Sequence, residues 1–168
     1  IIYASLIALR ETNLKRLLAY SSMAHVGLIA AGAYTYSQDG MQGAVMQMLA
    51  HGIVIVALFF LVEIIYKRYG SYEIKDLGGI RAQAEKFSSF FLIFIFASIG
   101  LPGTFSFIGE FTLLYSLSKV EWLYAIFAGT TIILGAYYML KMFQKAVLGN
   151  TNRKAFADLN TNEFLVLL

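Results

Sequence analysis

The chain has 168 residues, no cysteine, one proline and a formal net charge of +3. Hydrophobic residues make up 59% and charged residues 14%, against about a quarter charged in soluble domains, and mean hydropathy is +0.69. This composition excludes an ordinary soluble domain, and the lack of cysteine excludes disulfides, thiolate metal sites and iron–sulfur ligation within the segment.

In chain order, residues 1–9 are an apolar stretch that reads as the truncated end of a span. A charged link follows at 10–16. Residues 17–36 carry no charge and one histidine, His25; residues 41–66 carry His51 and Glu63. Both runs reach the ~20 residues that a membrane helix needs. The link at 67–86 mixes signs and reads as a solvated connector. Residues 123–148 form a further span, charge-free to Leu140, and residues 164–168 begin another. These runs do not alternate as barrel strands do. The fold class expected is an all-α polytopic membrane protein, with 1–168 as one transmembrane domain. The chain starts without Met, carries no signal peptide and has apolar ends, so it reads as a fragment.

Residues 87–118 need separate treatment. A straight helix of that length would measure ~48 Å against a hydrocarbon core of ~30 Å. Pro102-Gly103 breaks it, because proline removes a helical hydrogen bond and clashes with the preceding turn. If the broken segment crosses once, Arg10, Lys15, Arg16, Lys67, Arg68, Lys75, Arg81, Lys86, Lys141, Lys145, Arg153 and Lys154 share one side and Lys119 is alone on the other. If it crosses twice, the split is nine to four. Cytoplasmic loops carry the excess of Lys and Arg, so one discontinuous span is the better reading. The basic residues are then a topology signal, and nucleic acid is not a partner.

That topology assigns depths. His25 lies about 12 Å and His51 about 15 Å into adjacent, oppositely directed helices, both near the midplane. Glu110 follows the break, in the half nearer the non-cytoplasmic face. Glu63 sits one turn before Lys67, where an i,i+4 pair explains it.

A carboxylate at bilayer depth costs several kcal/mol and usually serves ion or proton movement. The plainer reading of Glu110 is satisfaction by Thr104, Ser106 or backbone freed at the break. His25 and His51 could be interhelical hydrogen-bond partners. Two histidines at one depth with a buried carboxylate fit a proton relay better, since histidine titrates near neutral pH. A His/His/Glu metal site lacks local ligand spacing. Gly27, Ala30, Ala31, Gly32, Gly129 and Gly135 read as helix-packing surfaces, and Tyr34, Tyr36, Tyr66, Tyr69 and Trp122 as interfacial anchors. No Walker, dinucleotide or nucleophile-triad pattern occurs.

Several stretches carry a family resemblance: ETNLKRLLAYSSMAHVG at 11–27, GAVMQMLAHG at 43–52, LGGI at 77–80, LPGTFSFIGEF at 101–111, and Asp158-Leu159-Asn160. Together they resemble the NuoM family, the antiporter-like proton-channel subunits of respiratory complex I, related to the D subunits of Mrp sodium/proton antiporters. The sibling NuoL and NuoN subunits carry a lysine where this chain has Glu110 in a Gly-Glu-Phe context. The resemblance implies the end of the ninth helix through the start of the fourteenth, with 87–118 as the discontinuous twelfth. It implies that His25 and His51 lie along a central polar axis and that Glu110 gates proton release. Further groups of that family, a glutamate on the fifth helix and lysines on the seventh and eighth, would lie upstream. It also implies no cofactor in this chain, with NADH and quinone handled by other subunits. The expected partners are the other membrane-arm subunits and the lipid bilayer. The expected location is the bacterial inner membrane, or an organellar inner membrane. The alternatives are a Na⁺/H⁺ antiporter subunit, a hydrogenase-linked proton pump or a structural scaffold of the membrane arm.

Overall fold

The computed structural model describes residues 1–149 and 155–167. The described residues form α1 (Ile2–Arg10), α2 (Leu14–Ala33), α3 (Gln38–Tyr69), a 3₁₀ turn (Ile74–Asp76), α4 (Ile80–Gln83), α5 (Glu85–Ser98), α6 (Phe105–Val120), α7 (Trp122–Ala146) and α8 (Thr161–Leu167). No strand occurs among them, only an isolated bridge between Asn13 and Glu73. The fold is all-α. By length and composition alone, α3 and α7 are sufficient to cross a membrane.

Local chemistry sets the helix ends. Asn13 caps α2, accepting from the amides of Lys15 and Arg16 at 3.1 and 3.2 Å, so α2 starts earlier than the charge-free run. Ser37 caps α3, accepting from the Gly40 amide. Gly70 ends α3 in the left-handed region at φ 77°, which glycine adopts without a Cβ penalty. The α3 helix therefore runs 32 residues, about 48 Å.

The discontinuous segment consists of α5, a break and α6, and both pieces lie against α3. Lys119 Nζ meets Asp39 at 2.7 Å, a Cβ on Gly43 would stand 3.1 Å from the Leu113 amide, and Gln47 reaches Glu110. Thus α6 runs antiparallel along the first half of α3. Phe91 and Ile95 of α5 share a buried cluster with Leu58, Leu61 and Ile65 of the second half. The two short helices therefore lie end to end along one unbroken helix.

The break spans Ile99 to Thr104, with Gly100 at φ 64° and Gly103 at φ 101°. Pro102 cannot donate into a helical ladder. Thr104 restarts the helix, donating its hydroxyl to the Leu101 carbonyl and accepting from the Phe107 amide. It does not reach Glu110.

The basic residues gather at one end. There Leu14 N donates to Tyr72 O, Ile74 N to Thr12 O and Arg81 N to Val147 O, which ties the start of α2, the end of α3 and the end of α7 together. Arg153 and Lys154 fall outside the described residues. The segment at 67–86 is not a solvated connector: Leu77, Ile80 and Ala84 are buried in the core. Tyr69 is core too, at 4% exposure, because Phe156 returns to pack on its ring at 5.3 Å. Tyr34, Tyr36, Tyr66 and Trp122 are exposed, as expected of anchors. Glu63 accepts from the Tyr72 hydroxyl at 2.8 Å and makes no ion pair with Lys67. A Cβ on Gly27 would meet Ile1 and one on Gly32 would meet Leu113, whereas Gly129 faces open space.

Asp158 pins α5 from outside. Its carboxylate accepts from the amides of Phe87 at 2.9 Å, Leu159 at 2.8 Å and Lys86 at 3.1 Å, two of them first-turn donors that lack helical acceptors. Partial burial alone would raise its pKa, but the three amides outweigh burial and hold it below 3.8. A folded-state pKa below the unfolded one contributes stability above the ordinary carboxylate range and loses it as pH falls through the folded value. Asp158→Ala should therefore cost about 1–2 kcal/mol, in line with loss of a cap. Hydrogen exchange at Lys86 and Phe87 checks this: faster exchange in the variant is expected at neutral pH, with the difference fading under acid.

Candidate functional site

The interior is divided into layers. One apolar cluster packs the basic end, around Leu18, Leu58, Phe87 and Met139. A smaller one, with Leu28, Ala44, Leu113 and Ala128, packs the opposite end. Between them α2 contributes Ser21, Ser22 and His25, α3 contributes Gln47 and His51, α6 contributes Glu110 and α7 contributes Tyr138. The outward faces are apolar instead: Ile53, Val56, Phe111 and Ile133 are all more than half exposed. Polar groups inside and apolar groups outside are what a lipid solvent selects.

Helical spacing assembles this layer. Gln47 and His51 are four apart on α3, and Ser22 and His25 three apart on α2, so each pair shares a face. Small residues then bring the helices together. A Cβ on Gly109 would stand 3.0 Å from the Gln47 backbone, and a side chain there would push α6 away.

Glu110 is 2% and His25 7% exposed. His25 Nδ1 lies 3.2 Å from Glu110 Oε1, and Gln47 Nε2 donates to the same oxygen at 3.1 Å. The other oxygen, Oε2, faces Gly100 in the break, where a Cβ would collide with it. His51 stacks beside His25 with ring centroids 5.3 Å apart and planes tilted by 30°. Its Nε2 is 2.8 Å from Ser22 Oγ. The order in space is Ser22, His51, His25, Glu110. A second polar link runs from α7, where the Tyr138 hydroxyl donates to Ser21 Oγ at 2.9 Å. At the basic end a cavity of about 620 Å³ is lined by Arg10, Lys75, Lys141, Lys145 and Tyr138. Tyr138 also lines the narrow space beside His25.

The three residues singled out from the sequence therefore meet in one group, with His25 and Glu110 buried and His51 half-buried. The expected helpers of Glu110 do not hold it: its carboxylate contacts come from His25 of α2 and Gln47 of α3. Gln47, Ser21, Ser22 and Tyr138 were missed. The available signal was helix phase, since three of them lie three or four residues from a singled-out histidine. No cluster of three or more His, Cys, Asp or Glu suited to a metal occurs among the described residues.

A carboxyl beside an imidazole can hold one proton on either Nδ1 or Oε1, and the second ring extends the line by one more exchangeable site.

Residues 1–135 match the family model described as NADH:quinone oxidoreductase/Mrp antiporter, transmembrane. NADH-quinone oxidoreductase subunit M of Rickettsia typhi is 43% identical over 168 residues, covering 98% of this chain and 34% of that protein. The structure of respiratory complex I from Thermus thermophilus with bound NADH contains a chain that superposes with a TM-score of 0.93 at 30% identity, over 98% of this chain and 35% of that one. A chain of the Mrp complex from Dietzia superposes with a TM-score of 0.84 at 24% identity, over 90% of this chain and 29% of that one; that likeness is one of fold. The chain spans about a third of the length of the curated relatives it matches.

Proposed function

Because this chain belongs to the NADH:quinone oxidoreductase/Mrp antiporter transmembrane family, we propose that it is part of a proton-translocating membrane subunit of an NADH:quinone oxidoreductase. The observation that carries the reading is the buried contact of His25 with Glu110 beside a helix break. In this account protons move along a hydrated line through His51 and His25 to Glu110 and leave on the side opposite the basic residues. The redox reaction belongs to other subunits, and this segment supplies no redox cofactor. The membrane is a bacterial inner membrane, with the basic end in the cytoplasm. Residues 1–168 form one transmembrane unit of the subunit.

The part each site plays follows from its solvation. Glu110 and His25 are shielded from water and in direct contact, so the two act as one proton-sharing pair. A charge change in a neighbouring subunit would act on this pair through space. His51 is half-buried and touches a hydroxyl, so water can stand in for it.

These differences rank two variants. In the full-length protein assembled in its complex, His25→Ala should lower protons pumped per electron to about a hundredth, the low end of the range for a positioned proton-transfer group. His51→Ala should lower it less. Pumping equal to native in both, with the complex assembled, would remove the relay. A second reading, sodium/proton antiport, draws on the fold shared with the Mrp chain; sodium-dependent transport without NADH would favour it. A scaffold role predicts that the two variants change assembly alone.

A further inference from the structure

Gln47 is 1% exposed and faces Glu110 across the α3–α6 contact. Its Nε2 donates to Glu110 Oε1 at 3.1 Å, while its Oε1 is buried without a hydrogen-bond partner. A buried amide oxygen left unpaired carries a desolvation penalty, and interhelical glue alone gives no reason to keep one. The amide has a feature that suits the site. Its two ends are nearly equal in size but opposite in hydrogen-bonding sense, so a half-turn about the last side-chain bond exchanges donor for acceptor without repacking. Gly109 matters here because its missing Cβ leaves room beside Gln47 Oε1.

We propose that Gln47 is a two-state positioning residue for Glu110, its amide donating to the carboxylate when Glu110 is ionised and turning to accept from the carboxylic O–H when Glu110 is protonated. The proton changes sides only on Glu110; Gln47 neither gains nor loses one. In both states one end of the amide is paired, so neither protonation state leaves the carboxyl oxygen without a partner. This rests on the proton-carrying role of Glu110 above.

Two variants of the full-length protein in its complex test it. Gln47→Met keeps the volume and removes both hydrogen-bonding ends. Pumping per electron should fall by roughly tenfold, the weight of one hydrogen bond to a charged group. Gln47→Glu, protonated in this buried place, still has a donor and an acceptor and should recover most of the loss. Native pumping in an assembled Gln47→Met complex overturns the proposal, as does equal loss in both variants. If Gln47→Met does not assemble, infrared difference spectra of native complex grown with isotope-labelled glutamine decide. An amide band that changes together with the Glu110 carboxyl, and is absent in Gln47→Glu, supports the proposal; no such band overturns it. Failure of the underlying relay is a separate result, since the His25 variant would then pump normally.

Discussion

Glu110→Gln should cut proton movement through this segment sharply while the complex still assembles. The substitution preserves shape and removes the exchangeable proton. Its cost to stability should stay within about 1 kcal/mol, because an uncharged amide is easier to bury than a carboxylate and can still bond to a neighbour. Gln47 can offer its oxygen to the new amide in the same place. Transport should fall by about a hundredfold, at the low end of what a positioned proton-transfer group contributes. Proton uptake into vesicles holding the full-length complex, normalised to NADH oxidised, reads this directly. Native pumping at native assembly would contradict it.

Gly100→Ala should be nearly as damaging, through geometry. Gly100 sits at φ 64°, a region that a residue with a Cβ enters at a cost of about 1–2 kcal/mol. The added carbon would also run into the Glu110 carboxylate, so Glu110 must leave the pocket formed with His25 and Gln47. Gly103 is the internal control. It too has positive φ, at 101°, but a Cβ there meets nothing within 4 Å. Gly103→Ala should lose stability comparable to the strain alone and keep most of its pumping. Thermal unfolding of the assembled complex and pumping per electron separate the two effects. Equal pumping loss in both variants would mean that the break, and not the carboxylate beside Gly100, is what matters.

Much of this arrangement was legible in the residues. Hydropathy located the long apolar helices, Pro102-Gly103 located the break, and the cation distribution located the basic end. Each is a local or additive property. His25, His51 and Glu110 stood out because charge and titratable groups are costly in lipid, and the same cost draws them together in the fold. Gln47 did not stand out, since an uncharged amide in a span is cheap enough to have many explanations. Only its distance to Glu110 distinguishes it. Tyr69 looked like an anchor from its place at the end of α3; Phe156, arriving from far along the chain, buries it. Glu63 had a suitable lysine one turn away, yet Tyr72 offered a shorter reach once the chain folded back after Gly70. The link at 67–86 read as solvated because its charges were visible and the burial of Ile80 was not. In each case the missing information was a contact between segments distant in sequence.

We propose that Glu110 gains and loses a proton during turnover. Infrared difference spectroscopy of the full-length complex, between resting and NADH-driven states, measures that event. A carboxyl band should appear and disappear with turnover and be missing in Glu110→Gln. A carboxyl signal unchanged by turnover, or one that persists in Glu110→Gln, would contradict it.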